Sequence, residues 1–266
     1  MSGPYSPTAR LGASPALPDG DAKNVATARN ERDARAYFSD LLLGALDWTG
    51  DFGVRSGGAL NAFTLDVGAI AAVAVRDADD VLWPHAYGGG TINQTKIEGG
   101  GGTLGAVERW WNVYAFRTGG GSLDFEISQT APNATRRYKS TDNTRRFVGC
   151  FPTDGTGAPI ALWTSMGRTV YLAPQLNVFQ NASLAGAATE YVTLATRVPP
   201  HARLADVLVT MTGTGSYFRA IGDAGGDTAT PVDSREVVLD TSQRAQWGVP
   251  LGQTGSIAVG VRGWRG

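Results

Sequence analysis

The chain reads as a mainly β protein, with antiparallel β-sandwich or jelly-roll-like units preceded by one N-terminal helix. Three observations carry this expectation. Short apolar runs with a period of two recur from about residue 52 onward, the spacing of half-buried strands. Glycine and proline, 36 and 13 of 266 residues, punctuate those runs. Glycine stands at roughly twice its usual frequency, as many tight turns require. One segment alone, near the N-terminus, has an apolar period of 3.6. No regular internal repeat is visible, which disfavours solenoids and propellers.

The elements follow in chain order. Residues 1–22 are rich in Pro, Gly, Ser and Ala and bury little, so they read as an extended arm. Residues 23–50 read as a helical anchor or trimerisation segment. Ala34, Phe38, Leu41, Leu42 and Ala45 form one apolar stripe, and Glu31 with Arg35 makes a favourable i,i+4 pair. Asn24 or Thr27 suits the start, and Gly50 lies just past the end. Such a helix either docks on its own β-domain or joins a short bundle about a three-fold axis.

A β-sandwich-like domain is expected over 51–173. Phe63, Leu65, Val67, Ala69, Ala71, Val73 and Val75 alternate as one strand. An Asp-rich turn at 77–80 leads into Val81-Leu82-Trp83, and glycine runs bracket a short strand at 91–97. Trp110, Tyr114 and Phe116 alternate with Trp111, Val113 and Ala115, so this strand is apolar on both faces. It belongs between two layers or against another subunit. A turn at Gly119-Gly120-Gly121 returns the chain through Leu123, Phe125 and Ile127. A C-terminal β-domain is expected over 174–266, with strands near 191–196, 204–211, 217–221, 236–239, 244–247 and 257–264. Val198-Pro199-Pro200 makes a corner, because proline lacks the ladder donor.

Charge and composition exclude several classes. Charged residues are 18% of the chain, and 23 basic against 24 acidic side chains leave a net charge of -1. Nucleic-acid binding needs clustered excess Lys and Arg, so no nucleic-acid partner is expected. Nor is membrane insertion, since no apolar stretch is long enough to span a bilayer. The first residues lack the basic and apolar regions of a secretory signal. The product therefore reads as soluble and made in a cytoplasm.

Cys150 is the single cysteine, so no intrachain disulfide forms. As a nucleophile it would need His85 or His201 beside it; as a small buried hydrophobe it needs nothing. Asp77, Asp79 and Asp80 lack the spacing of a calcium loop and read as a solvated turn. Asp124 and Glu126 share one strand face, which glycoside hydrolysis could use, yet that face reads more simply as the wet one. Arg136, Arg137, Arg145 and Arg146, interleaved with Tyr138 and Phe147, suit either a sugar- or phosphate-binding strip or a framework of stems over aromatic rings. Asn93, Asn133 and Asn181 stand in Asn-x-Ser/Thr triplets, acceptors only in a secretory pathway. No catalytic residue, metal ligand or cofactor is expected, and the chain does not read as an enzyme.

Residues 109–163 carry a more specific signal. An aromatic strand with Trp-Asn-Val-Tyr-Ala-Phe is followed by a Gly-rich turn, Leu-Asp-Phe-Glu-Ile-Ser, Thr-Ala-Pro, and then Thr-Arg-Arg-Phe-Val-Gly. With the Val-Pro-Pro corner, this order resembles a β-module of tailed-bacteriophage and prophage virion appendages, fibres and spikes. The resemblance covers about residues 52–215. Phe147-Val148 stands where Tyr-Leu is more usual, and Cys150-Phe151-Pro152 replaces a Ser/Thr-Phe-Arg type of run. What the resemblance implies is a structural virion protein, assembled in a host bacterial cytoplasm and forming part of a homotrimeric fibre or spike. Its partners would be its own copies and other virion proteins, with attachment to tail or capsid through the N-terminal region. Interface candidates are Phe38, Leu41, Leu42, Trp48, Trp110, Trp111 and Tyr114. The alternative is a carbohydrate-binding receptor module, with a host surface glycan as partner and exposed aromatics among Trp83, Trp110, Trp111, Trp163, Trp247 and Trp264.

Overall fold

A computed structural model describes residues 51–266 apart from 60–61, 79–81, 136, 166–167, 173–175, 186–188 and 224–231. The expected arm and helical segment, with Phe38, Leu41, Leu42 and Trp48, lie outside the described residues, as do Asp79, Asp80 and Arg136. The described chain is mainly β with antiparallel sheets, as the period-two runs require. In order the strands are β1 (Phe52–Ala59), β2 (Ala62–Val67), β3 (Ile70–Arg76), β4 (Leu82–Tyr87), β5 (Gly90–Ile92) and β6 (Trp110–Arg117). Next come β7 (Leu123–Ser128), β8 (Tyr138–Lys139), β9 (Asp142–Pro152), β10 (Leu162–Ser165), β11 (Arg168–Tyr171) and β12 (Leu176–Ala185). The last are β13 (Thr189–Thr193), β14 (Leu204–Thr212), β15 (Tyr217–Arg219), β16 (Val232–Val238), β17 (Arg244–Gly248) and β18 (Thr254–Arg265).

Two compact units interleave along the sequence. In the described chain the first holds residues 67–102 and 112–149, and the second holds 51–66, 103–111 and 150–266. The boundary expected at 173/174 from the run of strand patterns falls inside the second.

In the first unit a four-stranded sheet runs β7-β6-β9-β8, and β3 pairs with β4 as a hairpin. Ile70, Val73 and Val75 form a buried cluster joined by Tyr87 and Leu123. The glycine turn closes β6 onto β7 as expected. There Thr118 N–H donates to Ser122 O at 2.8 Å, and Gly121 sits at φ 87°, open to glycine without strain. Two expectations are corrected here. The single strand expected over 63–75 is two, because the chain leaves one sheet at Gly68-Ala69 and enters another at Ile70. A glycine without a side chain to pack is a natural break. The strand expected at 91–97 stops at Ile92 and becomes a 3-10 turn over Gln94–Lys96. Asn93 Oδ1 accepts from both N and Oγ1 of Thr95, which rewards the turn over the ladder.

The second unit is sandwich-like. Its large sheet runs β16-β14-β18-β11-β10-β1-β2, and β12 pairs β18 along part of its length. Its small sheet runs β13-β17-β15. Alternate residues of each are buried: Val207, Val209 and Met211 on β14, Ile257, Val259 and Val261 on β18, Val192, Ala245, Trp247 and Phe218 on the small sheet. At roughly 1.5–3 kcal/mol for each large apolar side chain buried, these faces supply most of the driving force for folding.

Candidate functional site

Asp124 and Glu126 were the carboxylates most open to a chemical reading, and both are engaged by cations. They alternate on β7, opposite Phe116 and Tyr114 of β6. Asp124 Oδ1 lies 2.6 Å from Lys96 Nζ. Glu126 Oε1 lies 2.7 Å from Lys139 Nζ, and its Oε2 lies 3.2 Å from Arg145 Nε. Lys139 also reaches Glu98 Oε1 at 2.6 Å, while Ser128 Oγ donates to Glu98 Oε2 at 2.6 Å. Lys139 is only 5% exposed, so this face is not simply wet. Burial works against the Lys139 charge, but hydrogen bonds to Glu126 and Glu98 outweigh it and hold its pKa above the usual lysine value. The Lys139 hydrogen bond, with that of Ser128, holds the Glu98 carboxyl below its ordinary range.

Arg145 and Arg146 do not share one face. Consecutive residues of a strand face opposite sides, and Arg145 and Arg146 are consecutive on β9. Arg145 lies over the Phe116 ring at 4.0 Å. Arg146 is fully buried, 5.1 Å from the Tyr138 ring centre. Both serve the framework.

Cys150 does have a histidine beside it: Sγ lies 3.8 Å from His201 Nε2. Burial pushes the thiol far above its usual range, however, and the thiolate is the nucleophile. The pair is packed, not poised. Asp77 Oδ2 accepts the Trp83 indole N–H at 2.6 Å. Among the described residues no group of three or more His, Cys, Asp or Glu is placed to hold a metal ion, and no helix is long and apolar enough to cross a membrane. Asn93 and Asn133 use their side-chain oxygens to cap local turns.

The aromatic residues sort by burial. Trp111 and Tyr114, candidates for an interface, are 3% and 0% exposed within one chain. The Tyr114 hydroxyl donates to Thr130 O at 2.6 Å, and Asn112 Nδ2 donates to the same carbonyl at 3.1 Å. Trp110, the third candidate, is half-buried. Its indole N–H donates to Ala195 O, and its ring meets Trp264 edge-on at 5.4 Å. Trp247 and Trp264 are buried.

Trp163 is different, at 39% exposure, and it has exposed apolar company in Val170 (37%) and Leu172 (59%). Trp163 of β10 faces Val170 of β11 in register. Leu172 follows two residues on, on the same face by alternation. Glycine flanks this row at both ends, since Gly53 pairs with Trp163 and Gly263 with Val170. A Cβ on Gly53 would stand 2.4 Å from Trp163 Cε3, so the indole lies down over the bare backbone of β1. Sequence reasoning read Trp163 only as one tryptophan among several. The signal available was the neighbouring glycine-containing strand.

Fold and site together define a class: a mainly β protein in which Lys96, Glu98, Asp124, Glu126, Lys139, Arg145 and Arg146 bind one another or the framework, and whose described surface keeps an apolar platform. No family model, curated protein or solved structure matches the chain.

Proposed function

We propose that the chain is a structural component of a phage or phage-derived virion. It forms part of a trimeric fibre or spike attached to tail or capsid through its N-terminal region, and its localisation is the virion. The observation that carries this reading is how the appendage-like segments serve one another. Asn112 and Tyr114 of the aromatic strand both bond the carbonyl of Thr130, which opens the Thr-Ala-Pro connector. Arg145 of the double-arginine strand holds Glu126 of the Leu-x-Phe-Glu strand, and Tyr114 packs on Phe147 at 5.9 Å. Residue types that are spent on each other build a scaffold and are not free for catalysis. The test is the native mass of the full chain by light scattering, together with its sedimentation alongside particles from cells that carry the gene. Three chain masses and co-sedimentation support the reading; a monomer absent from particles removes it.

A carbohydrate-recognising module is the second reading, favoured by the outer face of the small sheet. Tyr191 is 56% exposed there, with Arg244 4.8 Å from its ring centre. Tyr191 and Arg219 flank Gln246 in register. Rings with amide and guanidinium donors beside them suit a sugar face. Glycan-array binding that Tyr191→Ala abolishes would favour it, and a blank array would remove it.

A further inference from the structure

We infer that the β3–β4 hairpin is a pH-sensitive flap, docked on the first unit while His85 is neutral and released when His85 takes up a proton. Among the described residues the hairpin is a two-stranded sheet of its own, with no ladder to the sheet β7-β6-β9-β8. A lone hairpin is marginally stable in water, so its side chains must hold it. Ile70, Val73 and Val75 bury together, and Tyr87 and Leu123 pack against them. The Tyr87 ring meets Phe125 of β7 edge-on at 5.0 Å, and Arg117 of β6 lies over the Trp83 ring at 4.5 Å. Glycine stands at both ends, Gly68 before β3 and Gly88-Gly89-Gly90 after Tyr87. Gly89 takes φ 83°, and a Cβ on Gly88 would meet nothing within 4 Å. Backbone of this kind absorbs a change of angle at little cost.

His85 sits in the middle of that contact. It pairs with Val73, between the Trp83–Val75 and Tyr87–Ile70 pairs, and cross-strand partners share a face. Val73 is fully buried, and His85 Nε2 is buried with no hydrogen-bond partner among the described residues. A neutral ring tolerates such a site better than a charged one. The charged groups of the neighbouring elements do not compensate a proton there. Arg117, from β6, adds a like charge. Asp77, after β3, accepts the Trp83 indole N–H at 2.6 Å and lies 4.0 Å from Arg117. Asp124 of β7 lies 2.6 Å from Lys96 and accepts the Phe125 N–H. Arg76, at the end of β3, lies 5.9 Å from the centre of the Tyr138 ring of β8. Burial keeps the Tyr87 phenol neutral. Burial first, and then the Arg117 charge, hold the His85 pKa below its ordinary value. Release returns the ring to that ordinary value, about 6.5. Docking is therefore fully favoured above about 6.5 and weakens as pH falls from there toward the depressed value.

The test uses the full chain, which holds two histidines, His85 and His201. Imidazole nitrogen NMR reads the titration of each ring, and His85→Phe assigns them. Deuterium exchange, corrected for its intrinsic pH dependence, reads opening of residues 70–76 and 82–87 against the reference strands 112–117 and 123–128. His85 should titrate below about 6.5. As pH falls between those two values, hairpin exchange should rise by up to about tenfold per pH unit, because one proton is linked to opening. The reference strands should not change. His85→Phe keeps a ring in the apolar contact and should leave hairpin exchange independent of pH; the wild-type readings stand without it if that variant fails to fold. A His85 that titrates at its ordinary value overturns the inference, as does hairpin exchange that stays flat between about pH 7 and pH 5, the histidine range. A pH response that survives in His85→Phe also overturns it. So does opening of hairpin and reference strands together, which would be loss of the whole unit and not release of a flap.

Discussion

Lys139 decides how the charged network of the first unit behaves. It is 5% exposed and serves two carboxylates, Glu98 and Glu126. Removing one partner from a buried cluster leaves charge uncompensated, so Lys139→Met should cost roughly 2–4 kcal/mol in denaturant unfolding at neutral pH. The more open Lys96–Asp124 pair, about one-third exposed on each side, sets the contrast. There Lys96→Met should cost under about 1 kcal/mol. The pH dependence follows from the two shifts. Glu98 is held below its ordinary range, so its stabilisation is present above that range and lost as pH falls through the depressed value. Lys139 is held above its ordinary value, so its share persists through neutrality and is lost only in alkali, above the raised value. In a melting-temperature series against pH, Glu98→Gln should therefore lie below the wild type at neutrality and converge with it in acid. An unchanged gap at low pH would count against the pair. None of this was legible in the run Arg137-Tyr138-Lys139, where a lysine beside arginines reads as solvated. Glu98, which meets it, is 41 residues away.

At the scale of elements, alternation was a good guide where strands were long. β14 and β18 begin and end within a few residues of the runs expected near 204–211 and 257–264, because four alternating apolar positions on β14 and three on β18 leave little freedom of register. It was a poor guide to β10 and β11, four residues each, since two alternations cannot establish a period. Those two short strands carry the platform. Their closeness to their neighbours depends on glycine: a Cβ on Gly263 would stand 2.1 Å from the Thr169 carbonyl oxygen, a backbone atom that cannot rotate away. Gly263→Ala should force β18 from β11 and cost about 3 kcal/mol in thermal unfolding, the upper end for overpacking. Gly119→Ala, where no atom lies within 4 Å of the added carbon, should stay within about 0.5 kcal/mol. Equal effects at the two sites would mean that the strand approach is not as tight as the geometry implies.

For the whole molecule, period-two patterns identify strands but not their partners, so the sequence could announce a mainly β protein without revealing that its two units interleave. The described chain crosses between them at 66/67, 102/103, 111/112 and 149/150. Within the second unit β18 takes β14 along one edge and, along the other, β11 and then β12. β11 reaches β1 through β10. Trp264 of β18 packs on Tyr171 of β11 at 5.3 Å and on Trp110 at 5.4 Å. A cut between 173 and 174 therefore strips β18 of β11 and of both aromatic neighbours, and leaves β11 as an edge with no strand beyond it. We expect the fragment 174–266 alone to give a collapsed amide spectrum without the dispersion of a folded β protein. The fragment 51–173 should lose folded structure in its β1, β10 and β11 resonances. Co-expressed, the two should recover the dispersed spectrum, because the missing partners are then present and the added cost is that of bringing two chains together. A well-dispersed spectrum from 174–266 alone would show that β14, β16, β18 and the small sheet suffice for a domain, and that β1, β10 and β11 are accessory to it.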